Sequence, residues 1–167
     1  MLVRFTPDGS YLAIADSDAV RIWRVPEHGG EWTELRRFPG ASQDSQTPLA
    51  FTADGRYIAI GSSSATAWEL MSGQQIMRAE IRRNWGWDIT SLAFTPDGRF
   101  LAVAAGRAFA LLRFPGSVEV ARATHSAGFL STIHCLACSP DGKHIAAGSE
   151  PTARVWKVEV SGKELSS

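Results

Sequence analysis

The sequence is short of the features that announce a compartment or a chemistry. Two cysteines in 167 residues do not make a disulfide framework. Seventeen basic and seventeen acidic residues cancel to a net charge of zero, so no overall field draws in nucleic acid or an anionic membrane. That neutrality also gives little protection against self-association. The longest apolar run, Phe100 to Ala105, falls far short of the roughly 18–20 residues that span a bilayer. The opening residues reach the turn Thr6-Pro7-Asp8-Gly9 too early to hold a signal-peptide apolar region. Long helix-period stretches, phosphate loops, a Gly-x-Ser-x-Gly elbow and His-Glu-x-x-His are missing. A cytoplasmic chain with no cofactor, no metal, no membrane and no nucleic-acid partner is the expectation.

What is present is a repeat. Thr6-Pro7-Asp8-Gly9, Thr52-Ala53-Asp54-Gly55, Thr95-Pro96-Asp97-Gly98 and Ser139-Pro140-Asp141-Gly142 place their glycines 46, 43 and 44 residues apart. A fixed period of this length marks a repeat architecture. Each turn suits a tight hairpin: Pro presets φ, Asp bonds the local backbone, and Gly accepts the left-handed conformation.

Strands flank every turn. Before it come Val3 to Phe5, Leu49 to Phe51, Leu92 to Phe94 and Leu136 to Cys138, with apolar anchors two apart. After it come Tyr11 to Ala15, Tyr57 to Gly61, Phe100 to Ala104 and His144 to Gly148. One phase of this second strand is bulky (Leu12/Ile14, Ile58/Ile60, Leu101/Val103, Ile145/Ala147) and the other is small (Ala13/Ala15, Ala59/Gly61, Ala102/Ala104, Ala146/Gly148). Neither phase is polar, which predicts burial on both faces with another layer close to the small one. A third strand places Trp23, Trp68, Leu112 and Trp156 13 or 14 residues after the turn glycine. A fourth strand is expected over Thr33 to Phe38, Gln75 to Ile81 and Val118 to Thr124.

Four short antiparallel strands per repeat, buried on both faces, make a propeller blade. Over nearly its whole length the chain resembles the WD40 family, whose blades carry a Ser-Pro-Asp-Gly turn, a Leu-Ala-x-x-Ser strand and a Val-x-Leu-Trp-Asp strand. The fourth repeat is nearest, with Ser139-Pro140-Asp141-Gly142-Lys143-His144-Ile145-Ala146 and Ala153-Arg154-Val155-Trp156-Lys157. The Asp after Trp is replaced by Arg24, Glu69, Arg113 or Lys157, and no Gly-His pair opens a repeat. The family's buried Asp–His–Ser/Thr–Trp network is therefore mostly missing, and apolar packing has to hold these blades. The expected architecture is all-β: a WD40-type β-propeller of four blades, approximately residues 1–38, 46–81, 88–124 and 132–167.

Four wedges of a seven-bladed ring would cover about 200°. Neither terminus has a full strand to lend for closure. Three resolutions follow, in order of expectation: a segment of a longer propeller, two copies forming a homodimer that closes an eight-bladed ring, or four blades closing alone.

Few residues are candidates for chemistry. Cys135 and Cys138 lie three apart in a strand, so they point to opposite faces and cannot readily share a metal ion. Asp16-Ser17-Asp18 resembles the start of a calcium loop, but Val20 and Arg21 stand where an oxygen ligand and a glycine are needed. The four turn aspartates are explained by turn geometry, and no catalytic residue is expected. Trp23, Trp68 and Trp156 are repeat positions and read as core, and Trp32 reads as the start of an outer strand. The remaining tryptophans lie in Arg82-Arg83-Asn84-Trp85-Gly86-Trp87-Asp88, between the second and third blades.

In the family such loops line a face used for partners, and Trp with Arg is the material of interface hot spots. Arg82, Arg83, Trp85, Trp87 and Asp88, with Phe129 of the next inter-blade loop, are the candidate partner-binding residues; padding of the blade junction is the competing role for the two rings. The resemblance implies a non-catalytic scaffold for other proteins or peptides, a segment of a larger signalling or assembly protein. A propeller hydrolase or lactonase using channel residues is the alternative. A third reading, a nucleic-acid clamp from Arg36, Arg37, Arg82 and Arg83, is opposed by the neutral charge.

Overall fold

The computed structural model describes residues 1–16, 18–39, 47–81, 88–124 and 132–158. Within them the chain is all-β, built as four antiparallel meanders in sequence order. The first blade is β1 (Leu2–Phe5), β2 (Tyr11–Ala15), β3 (Val20–Arg24) and β4 (Thr33–Phe38). The second is β5 (Leu49–Phe51), β6 (Tyr57–Gly61), β7 (Ser64–Glu69) and β8 (Gln75–Glu80). The third is β9 (Ile89–Phe94), β10 (Phe100–Ala105), β11 (Ala108–Arg113) and β12 (Glu119–Thr124). The fourth has three strands among the described residues: β13 (Cys135–Cys138), β14 (His144–Ser149) and β15 (Thr152–Lys157).

The Asp-Gly turns are one hydrogen-bonded device used four times. Gly9, Gly55, Gly98 and Gly142 have φ of 74°, 67°, 65° and 68°, the left-handed region that glycine enters without a Cβ clash. Each glycine N–H donates to the carbonyl of the turn's first residue at 2.9 Å. That residue's hydroxyl does two jobs. In the third blade Thr95 Oγ1 donates to Asp97 Oδ1 at 2.6 Å and accepts from the Phe100 N–H at 3.1 Å. Thr6, Thr52 and Ser139 repeat this with Asp8, Asp54 and Asp141. The hydroxyl thus satisfies the first N–H of the second strand and fixes the hairpin's register.

The blades stack by a rule already visible in the second strands. At each junction the bulky face of a blade packs on the small face of the blade before it. Leu49, Ile58 and Ile60 cluster with Ala13, Ala15 and Ile22 of the first blade. Leu101, Val103 and Leu112 cluster with Ala59, Ala65 and Ala67 of the second. Ile145, Ala147 and Trp156 cluster with Ala102, Ala104 and Leu111 of the third. Small residues are needed because the layers approach closely. A Cβ on Gly61 would come within 2.8 Å of both Ile89 Cγ2 and Pro48 Cγ.

One ring pair crosses each junction: Phe38–Trp68 at 5.5 Å, Tyr57–Phe114 at 5.2 Å and Phe109–Trp156 at 5.0 Å between centroids. Where Leu112 stands in place of tryptophan, Tyr57 and Phe114 supply the rings.

Apolar packing does carry these blades. The indole Nε1 atoms of Trp23 and Trp68 are buried with no hydrogen-bond partner, a cost that fully networked blades avoid. The expectation of burial on both faces holds in the middle of the stack and fails at its ends. Every residue of β10 is buried, whereas Leu12 and Ile14 of β2, and Ala146 and Gly148 of β14, are partly exposed. Trp23 is partly buried, as is its equivalent Trp68 at the first junction. The sheets do not close into a ring.

Candidate interaction surfaces

Strand direction sorts the connections between two rims. The Asp-Gly turns end one edge of every blade. The turns between second and third strands, and the connections from one blade to the next, end the other. The second rim is tied together by backbone bonds across junctions. The Ile89 N–H donates to the Ser62 carbonyl at 2.9 Å, and the Ile133 N–H donates to the Gly106 carbonyl at 2.8 Å. The connections into the third and fourth blades therefore land on the preceding blade's second-to-third-strand turn. In the first blade that turn is held by Asp16, whose Oδ1 accepts the Asp18 and Ala19 N–H groups at 2.9 and 3.0 Å, while Arg21 pairs with its other oxygen at 3.1 Å. This is loop-closing geometry; the carboxylate's lone pairs are committed to backbone and Arg21.

Of the candidate partner residues, Asp88 is partly exposed at this second rim, immediately before β9. Arg82, Arg83, Trp85, Trp87 and Phe129 lie outside the described residues. Arg36 and Arg37 are otherwise engaged: Arg36 Nη2 donates to the Met71 carbonyl at 2.6 Å across the first junction, and Arg37 pairs with Glu34 at 3.3 Å. Trp32 is exposed just ahead of β4.

On the opposite rim the hydroxyl bonds hold the turn aspartates in their charged form. The Thr6 hydroxyl, followed by the Ser10 amide and hydroxyl, brings Asp8 down to about 2. Asp54 and Asp141 are lowered first by Thr52 and Ser139. For Asp97 burial pushes upward, and the Thr95 hydroxyl with the Arg99 amide outweighs it. An acid held this far down is a structural anchor at neutral pH rather than a proton donor or acceptor. The repeated hydroxyl two residues ahead of each Asp was the sequence signal for this network; reading the turn from Pro, Asp and Gly alone missed its bond to the second strand.

The two cysteines part as strand geometry requires. Cys135 pairs across from Gly148 and is exposed, while Cys138 pairs across from Ile145 and packs against the third blade. Burial, with the Asp97 charge adding to it, pushes the Cys138 thiol up to about 11, so it remains protonated at neutral pH. The inner strands of all four blades border a cleft of about 200 Å³, lined by Arg4, Leu49, Ser91, His134 and Leu136 among others.

Fold and rims together define an all-β, blade-stacking repeat protein with propeller-type blades. Residues 80–107 and 122–157 match the family "WD domain, G-beta repeat". The second match spans the repeat that most resembles the family by eye. Among curated proteins, Pre-mRNA-processing factor 19 homolog 2 of Arabidopsis thaliana is 36% identical over 61 residues, 36% of this chain and 11% of that protein. The chain thus spans a small part of that relative's length.

Proposed function

We propose that this chain is a non-catalytic scaffold that binds other proteins or peptides, as a segment of a larger signalling or assembly protein. The observation that carries this reading is the pair of WD40 repeat matches, on blades whose fourth strands end, and whose first strands begin, at one rim. Fold alone does not assign function, so the residue types in the inter-blade connections give the reading its content. Arg82, Arg83, Trp85, Trp87 and Asp88 in one connection and Phe129 in the next combine guanidinium groups with large rings, the side chains that dominate interface energetics.

The test is quantitative affinity capture with the wild-type chain and a Trp85→Ala/Trp87→Ala double variant. Proteins held by this rim are expected to fall about tenfold or more in recovery, the effect of losing one hot-spot ring. An unchanged set of captured proteins would refute the surface. Saturable turnover of esters or lactones by the purified chain would refute the non-catalytic reading.

A further inference from the structure

Neighbouring Asp-Gly turns meet along their rim, and one of the three junctions is built differently from the other two. A Cβ on Gly55 would lie 3.9 Å from Pro7 Cδ, and one on Gly142 would lie 3.7 Å from Pro96 Cδ. At the first and third junctions, then, the proline ring of one turn covers the glycine of the next. At the second junction the covering position is Ala53. A Cβ on Gly98 would meet nothing within 4 Å among the described residues. A cavity of about 270 Å³ stands there, bordered by Ala53 and Asp54 of one turn, Asp97 and Gly98 of the next, and Tyr57 and Phe114. Small-molecule sites run to roughly 300–1,000 Å³, so this gap has room for one or two side chains. Its walls all belong to the second and third blades.

The same junction carries an extra ring. The Phe114 N–H donates to the Arg99 carbonyl, just as the Val25, Leu70 and Val158 N–H groups donate to the Ser10, Arg56 and Lys143 carbonyls. Phe114 thus holds a position that is aliphatic in the other repeats, and it meets Tyr57 edge-on at 5.2 Å. Where a proline is lost, an aromatic wall is gained, and aromatic-lined grooves are the surfaces on which prolines dock. The charge around the gap is acidic. Asp54 and Asp97 spend Oδ1 on their own turns, and among the described residues their Oδ2 atoms accept nothing. Arg56 is committed to Glu69 at 2.9 Å, and Arg99 lies over the Phe100 ring. Three carboxylates against two guanidinium groups leave an excess of negative charge.

We propose that this gap is a docking site for a proline of a partner peptide, flanked by basic residues, whose ring takes the place that Pro7 and Pro96 take at the junctions on either side. The occupant follows from the repeat, because a pyrrolidine ring closes the same turn-on-turn contact twice in this chain. The excess carboxylate selects basic over acidic residues beside that proline. The site lies on the rim opposite the inter-blade connections, so its failure and the failure of the Trp85 and Trp87 surface are separate events.

The test titrates the full chain with the capped peptide Gly-Lys-Pro-Lys-Gly and follows amide shifts by NMR. Changes are expected at Ala53, Asp54, Gly98 and Phe114, and not at Gly55 or Gly142, whose gaps are filled. The peptide with Ala in place of Pro should bind about tenfold more weakly, the effect of losing two buried methylenes. Glu in place of both Lys residues should also weaken binding. Ala53→Pro installs the residue that the other three turns carry; it should melt no lower than wild type and should not bind the peptide. Phe114→Leu, the residue type of the equivalent Leu70, should weaken binding by removing one ring. Absence of shifts at millimolar peptide, equal affinity for the Ala peptide, or undiminished binding by Ala53→Pro or Phe114→Leu would overturn the proposal.

Discussion

Strands β10 and β2 carry the same alternation of bulky and small residues, in the third and first blades. Leu101 and Val103 of β10 are fully buried, whereas Leu12 and Ile14 of β2 are partly exposed. The strands differ little; the neighbours differ. The third blade sits between two others, and the first has one. Stability in such an array is a sum of repeat terms and nearest-neighbour terms, so the same substitution should weigh differently in the middle and at the ends.

The sharpest way to break that comparison is a tryptophan pair, tested by urea unfolding of the purified chain. Trp156 is 3% exposed and meets Phe109 across a junction. Its replacement by Ala should cost roughly 3–5 kcal/mol, the range for emptying a core ring site. Trp23→Ala, on the open face, should cost clearly less. Equal losses would mean that the first blade's face is covered.

A glycine pair comes next. Gly61→Ala should cost about 1–3 kcal/mol, because its methyl meets Ile89 and Pro48 together and neither has room to move. Gly148→Ala meets only the Cys135 thiol, at 2.6 Å. That side chain is exposed and can rotate away, so the loss should be smaller.

Removing the turn hydroxyl separates the blades less. Thr95→Ala leaves the buried Phe100 N–H without its acceptor, which should cost about 1–3 kcal/mol. Thr6→Ala, at the partly buried equivalent, should sit at the bottom of that range by the same measurement.

The smallest effect is on pH dependence. The turn aspartates have folded-state values below their ordinary ones, so they favour the folded chain while ionised. That contribution is complete above the ordinary carboxylate value and drains away as pH falls towards about 2, where Asp8 protonates. Urea midpoints should therefore fall on acidification through this window, and Asp8→Asn should flatten the slope. A midpoint that rises with acid would contradict the hydroxyl–aspartate network.

Much of this was legible in the residues. The spacing of Gly9, Gly55, Gly98 and Gly142 locates the hairpins, and the bulky and small phases of the second strands foretell which face meets which. Strand ends were less legible. β9 begins at Ile89, three residues before the expected Leu92, because Ile89 is anchored by the preceding blade's Ser62 rather than by any local pattern. Exposure was not legible at all. Leu12 and Ile58 hold equivalent places in their repeats, and only Ile58, with a preceding blade beside it, is fully buried. For the candidate binding residues the sequence supplied side-chain types and the structure supplies the rim position of Asp88; Arg82, Arg83, Trp85, Trp87 and Phe129 rest on composition.

The most direct test of the central claim, that the neighbouring blades rather than the strand's own residues set its burial, is hydrogen exchange of the purified chain. β6 and β10, each between other blades, should be the most protected strands. β1, β2, β14 and β15 should exchange faster. Protection that is uniform across all four blades would contradict it.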